Sequence, residues 1–152
     1  MLRWAKPSDA AELAQVFFAA VREGPSLYSE AQRAAWLPEP PAGQAWRDQL
    51  SAMNVAVVER GGRPGGFMSV QDGGYINLAF VHPDHQGSGI FRQLYARVEE
   101  WARDHGEPIL WTHASLMAEP AFQAMGFLVI HHETVVRDGQ KLTRAKMEKR
   151  LT

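Results

Sequence analysis

The sequence predicts a mixed α+β fold (mixed α/β): a mixed, mostly antiparallel central sheet flanked by helices, in the order βααβββαβαββ. Three observations lead there. Apolar residues at helical spacing are concentrated in the first third of the chain. From residue 54 the period shortens to that of strands, in runs separated by glycine-rich turns. A strand, a helix and a strand then follow in succession over residues 75–112, which demands a parallel pair and a right-handed crossover.

Each element has its own justification. "LRWAK" opens the chain as a short strand. Asp9 with Glu12 forms a capping box for a helix in which Leu13, Val16, Phe17, Ala20 and Val21 share a face and Gly24-Pro25 stops the pattern. A second capping box, Ser29 with Gln32, starts a short helix through Trp36 that must end before "LPEPPAG". Trp46 and Leu50 share a face of a further helical stretch over 43–53. The segment 54–81 reads as a three-stranded antiparallel meander broken at "RGGRPGG" and "DGG". Ile90, Leu94, Val98, Trp101 and Ala102 mark one stripe of the next helix, closed by Gly106 and Pro108. "PILWTHAS" gives a strand, "LMAEPAFQAMG" a short helix, and the remainder two strands about the Asp138-Gly139 turn.

Composition narrows the function. The 152 residues suit one domain, 1–152, with no internal repeat or long linker. With 16 basic and 17 acidic residues there is no general attraction to nucleic acid or an anionic membrane, so an anion site has to be local. The absence of cysteine excludes a disulfide framework, a thiolate nucleophile and a Cys-ligated metal. No signal pattern and no membrane-length apolar run is visible, which makes the cytoplasm the expected location. His131 and His132 point to opposite faces of a strand, and His82 and His85 lack ligand partners beyond Asp84, so no metal is expected.

The richest stretch is "VHPDHQGSGIFRQLYARVEEWARDHG", residues 81–106. A strand ends, two glycines follow, and an amphipathic helix begins at once. The first turn of a helix offers unpaired N–H groups and about half a positive charge, and glycines let a bulky anion approach that backbone. A phosphate is the natural ligand. A Walker loop is excluded because no Gly-Lys pair exists, and a dinucleotide fingerprint fails because Arg92 stands where its third glycine belongs.

What fits is Q-x-x-G-x-[GA] after a strand ending in V-x-P, and with these residues the chain resembles the GNAT superfamily of acyl-CoA-dependent N-acyltransferases. Nearly the whole chain is covered, since the predicted order of elements is also that of the GNAT fold. Gln86, Gly87, Ser88, Gly89 and Ile90 match the loop; Phe91 departs from the usual small residue and narrows the space unless its ring turns away. "YSEAQRAAWLP", "ASLMAEPAFQAMGF" and "LTRAKMEKRL" are similar to a bacterial branch of that superfamily.

The resemblance implies acetyl-CoA as cosubstrate, its pyrophosphate on residues 86–90 with Arg92 in reach, and its pantetheine arm between two splayed strands, where Phe80 and Val81 present backbone groups. Ser115 stands where relatives contact the cofactor, and Phe122 where many carry a tyrosine acid. Tyr75 replaces the common glutamate base. His113 is then the candidate base by pKa, with a structural or solvent-facing strand histidine as the alternative, and Tyr28 either reaches in from the acceptor side or is an ordinary exposed tyrosine. The expected partner is a small-molecule or peptide amine, with no nucleic acid or membrane, and a homodimer is a common assembly among relatives. Two activities remain open: N-acetyl transfer by direct attack, or a silent acyl-CoA sensor. For Trp36 and Trp46 core packing is preferred over an acceptor pocket, and for Arg97 a solvated helix face.

Overall fold

The computed structural model describes residues 1–152. In chain order the elements are β1 (Leu2–Trp4), α1 (Ala10–Arg22), α2 (Glu30–Trp36), α3 (Gly43–Ser51), β2 (Asn54–Arg60), β3 (Arg63–Val70), β4 (Tyr75–Ile76), β5 (Ala79–Val81), α4 (Ile90–Asp104), β6 (Ile109–Ser115), α5 (Glu119–Ala124), β7 (Leu128–Arg137) and β8 (Gln140–Arg150). The α+β class holds, and the order differs in two places. Three helices precede β2, the third being the helical stretch expected over 43–53, which the order βααβββαβαββ leaves uncounted. The third run of the expected meander is two strands, β4 and β5, that belong to different sheets.

One sheet has the order β1-β2-β3-β5 and the other β4-β6-β8-β7. All pairings are antiparallel except β4 with β6, where Tyr75 faces Trp111 and Ile76 faces Thr112. The expected parallel pair is therefore present, but only two residues long on β4. The division has a local cause. Buried Ser69 of β3 accepts the N–H groups of both Asn77 (3.2 Å) and Leu78 (2.9 Å) on its hydroxyl, while its own N–H donates to the Leu78 carbonyl at 2.8 Å. The chain is thereby drawn off β6 and onto β3 between Ile76 and Ala79. On the other side Gly74, at φ +77, lies so close that any Cβ would collide with the Ile109 carbonyl, and its own carbonyl accepts the Trp111 N–H at 2.9 Å.

Both faces of the first sheet are covered, which explains the unbroken apolar run "VAVV". Val55 and Val57 join Leu13, Val16, Phe17, Trp46 and Phe67 in the core beneath α1, whereas Ala56 and Val58 join Leu94, Val98 and Trp101 beneath α4. Full burial of a side chain of this size contributes about 1.5–3 kcal/mol, so the two cores fix the relative positions of α1, α4 and the sheet. At the start of α2 the Ser29–Gln32 capping box forms as expected. The one expected at Asp9–Glu12 does not: Asp9 accepts the Lys6 N–H at 2.6 Å and pairs with the Arg3 guanidinium at 2.8 Å. That guanidinium holds the Asp9 carboxyl below its usual range. No helix is long and apolar enough to cross a membrane.

Candidate functional site

β4 and β6 begin side by side, and β5 then leaves β6, opening a gap between Ala79–Val81 and His113–Ser115. Two cavities, of about 370 and 350 Å³, meet in that gap and share Trp36, Ala79, Phe80, Ser115 and Ala118 as walls.

The first cavity ends on the glycine loop, and Gln86, Gly87, Gly89, Phe91 and Arg92 all line it. Gly87 and Gly89 have φ of +78 and +84, and a Cβ at either would meet nothing within 4 Å. The loop is thus shaped by glycine conformation while its outer side stays open. Ser88 ties the loop back by donating its hydroxyl to the His85 carbonyl. The N–H groups of Gly87, Gly89, Ile90, Phe91 and Arg92 have no backbone acceptor. Ile90 anchors the helix start: it is buried, and Gly66 of β3 leaves it room, since a Cβ there would come within 2.7 Å of Ile90 Cγ2. Phe91 lays its ring edge-on against Phe122 at 5.1 Å, so the ring packs on α5 while the amide remains unspent. Arg92 forms no ion pair, and Arg97 lies over the Trp4 ring at 5.7 Å rather than near the loop.

The edge of β5 carries the next set of donors. The bonds Ser69 N–H to Leu78 O and His82 N–H to Gly65 O set the phase of the antiparallel ladder. Phe80 therefore falls in a hydrogen-bonded pair with Phe67, and the N–H and C=O groups of Ala79 and Val81 turn to the gap. Val81 turns its backbone to the gap. Phe80 does not; its ring, stacked on Phe17 at 4.3 Å, lines the cavities instead.

Side chains with acid–base character gather at the second cavity. The Tyr75 hydroxyl lies 3.0 Å from His113 Nδ1, and its ring packs on Trp111 at 4.4 Å. Glu133 of β7 approaches His113 Nε2 at 3.7 Å and pairs with Arg144 of β8 at 3.1 Å. Burial first, and then the positive charge of Arg144, push His113 below its ordinary pKa, against the opposing pull of Glu133. Burial raises the Tyr75 pKa, with Arg144 opposing. Burial and Arg144 both favour the uncharged imidazole of His113.

Tyr28 is buried, donates its hydroxyl to the Thr143 carbonyl (2.6 Å) and accepts the Leu116 N–H (3.0 Å). With its proton engaged in that bond, it braces the cavity wall. Ser115 accepts the Ala118 N–H on both its hydroxyl and its carbonyl, beside the junction of the cavities. Phe122 is buried and brings no polar atom. Trp46 serves in the core, donating its indole N–H to the Ala10 carbonyl at 2.8 Å, and also lines the second cavity with Trp36. The sequence reading did not single out Ser69, Ala79, Glu133 and Arg144. A lone serine in the apolar run "GFMSV" was a signal for the first; the other three become visible only when β5, β7 and β8 are in register.

The family model described as "Acetyltransferase (GNAT) domain" matches residues 26–151. The chain is a member of the GNAT acetyltransferase family. Among curated proteins it is similar to the L-amino acid N-acyltransferase MnaT of Escherichia coli (strain K12), 26% identical, with 84% of this chain and 79% of that protein covered. The solved GCN5-related N-acetyltransferase from Rhodopseudomonas palustris superposes with a TM-score of 0.88 at 29% identity over 99% of this chain and 95% of that one. More distant members show the same GNAT fold. A phosphinothricin acetyltransferase from Sinorhizobium meliloti in complex with acetyl-CoA has a TM-score of 0.76 at 17% identity, covering 99% and 88% of the two chains.

Proposed function

We propose that this GNAT member transfers an acetyl group from acetyl-CoA to a primary amine of a small molecule or peptide by direct attack. The observation that carries the reading is the continuity of the gap, which joins the unpaired amides of the glycine loop to the Tyr75–His113 pair. The residues fit coenzyme A. Five N–H groups without backbone acceptors and Arg92 suit a pyrophosphate, and the free edge of β5 suits the amide-bearing arm of pantetheine, which it would hold as an added strand. Acetyl-CoA supplies the activated acyl group.

The N–H groups of Ala79 and Val81 are placed to hydrogen-bond the acyl oxygen as it gains charge. His113 receives the proton given up by the attacking amine, and Tyr75 orients its ring. The C–N bond forms, the C–S bond breaks, and the thiolate departs with no acid beside it, since Phe122 provides none. A free thiol pKa of ~8.5 makes that departure tolerable.

Calorimetric titration of acetyl-CoA and CoA, followed in the same samples by a free-thiol assay against a panel of amines, tests the reading. Micromolar binding with amine-dependent thiol release is the expected result. Binding with no release across the panel supports the second reading, a silent acyl-CoA sensor, which the apolar burial of Phe122 favours. Absence of binding removes both.

A further inference from the structure

We propose that the acceptor is an amine bearing an adjacent carboxylate and a large apolar group, as an apolar α-amino acid does, and that Arg144 holds the carboxylate. This rests on the acetyl-transfer reading and specifies its second substrate. The charged residues lining the second cavity are Arg137 and Arg144, with no carboxylate among its walls. The nearest carboxylate, Glu133, is already paired with Arg144, so a cationic or polyamine acceptor would find no free counter-charge there. An anionic group would find two guanidinium groups.

Arg144 is the better placed of the two. It gives one Nη to Glu133 at 3.1 Å, while its Nε–H is buried and meets no acceptor. That Nε is out of reach of a ligand, but the second Nη has no partner in the protein and is not buried, and a carboxylate entering the cavity would take its protons. Glu133 from β7 occupies one side of the guanidinium, and the charge of Lys146 reaches the adjoining His113. Glu133 lies 3.1 Å from Arg144 and 3.7 Å from His113 Nε2, so a carboxylate held by Arg144 lies close to the proton-accepting end. Amine and carboxylate must then be near neighbours in one small molecule. Opposite them Phe17, Trp36, Leu37 and Trp46 form an aromatic and aliphatic wall, and a volume of about 350 Å³ suits an amino acid with a large side chain.

The test is thiol release from acetyl-CoA with tryptophan, phenylalanine and methionine, each against its primary amide and its glycyl dipeptide. The amides have the more readily deprotonated amine and should react faster if the carboxylate is not read. The expected result is a kcat/KM higher for the free acids by about 10- to 100-fold, a ratio that Arg144→Gln brings toward one and Arg144→Lys reduces in part. Amides or dipeptides that react as well as the acids in the unmodified protein overturn this proposal and leave acetyl transfer standing. Bound acetyl-CoA with no thiol release from any compound overturns both. The comparison in the unmodified protein needs no variant to fold.

Discussion

The Tyr75 hydroxyl meets Nδ1 of His113 at 3.0 Å, across the parallel junction where β4 and β6 still run together. This contact sets the imidazole at the end of the cleft. His113→Ala should lower kcat by about 10²- to 10³-fold and change acetyl-CoA affinity little, because His113 lines the second cavity and not the first. Tyr75→Phe keeps the ring on Trp111 and should lower kcat less. Steady-state kinetics with calorimetry of acetyl-CoA separates the two quantities.

The same imidazole should titrate below its ordinary value of 6.5, since burial and then Arg144 disfavour its charged form. Removing the positive neighbour in Arg144→Gln should raise it. Following the imidazole nitrogens by NMR in the free protein reads both values without interference from the acceptor amine. The linked stability has a definite sign: a histidine whose folded pKa is lowered costs nothing above the unfolded value. It destabilises the fold as pH falls from about 6.5 toward the lower folded value.

Gly89→Glu should abolish coenzyme A binding in a folded protein. The position is open, so the side chain meets no wall, but it sets a negative charge against the unpaired amides. The left-handed φ of +84 adds a cost of about 1 kcal/mol, which Gly89→Ala should also show. Thermal melting and calorimetry on both variants distinguish strain from charge; only the glutamate should lose affinity by 100-fold or more.

Ser69→Ala removes the acceptor for two N–H groups at the point where the chain passes between sheets. Destabilisation of about 2–3 kcal/mol in urea unfolding is expected, together with a loss of kcat as Ala79 and Val81 lose their placement.

Gly74→Ala should be worse. The added methyl has to displace the Ile109 carbonyl, and φ +77 suits it poorly, so a loss of about 3 kcal/mol or more is expected by the same measurement.

Much of this architecture was legible in local pattern. The Ser29–Gln32 box, the α4 stripe and the glycine loop each depend on residues within a few positions of one another. What escaped depends on distant pairing. "YINLAFV" reads as one alternating strand, and only the Ser69 hydroxyl, 8 and 9 residues away, shows why it divides. The Asp9–Glu12 box fails for a similar reason, because Arg3, folded back by the β1–β2 pairing, takes the carboxylate first. Arg144 sits on a strand of alternating charge that looks solvated until β7 brings Glu133 beside it.

Tyr28 joins the connection before α2 to chain segments 88 and 115 positions further on. Closing loops of that length is entropically unfavourable until other contacts have brought their ends together. On that ground the brace between α2, the end of β6 and β8 is expected to form after both sheets are in place, completing this wall of the second cavity late. A nascent chain that has released only its first hundred residues has the glycine loop in hand but lacks about half of the walls of the second cavity.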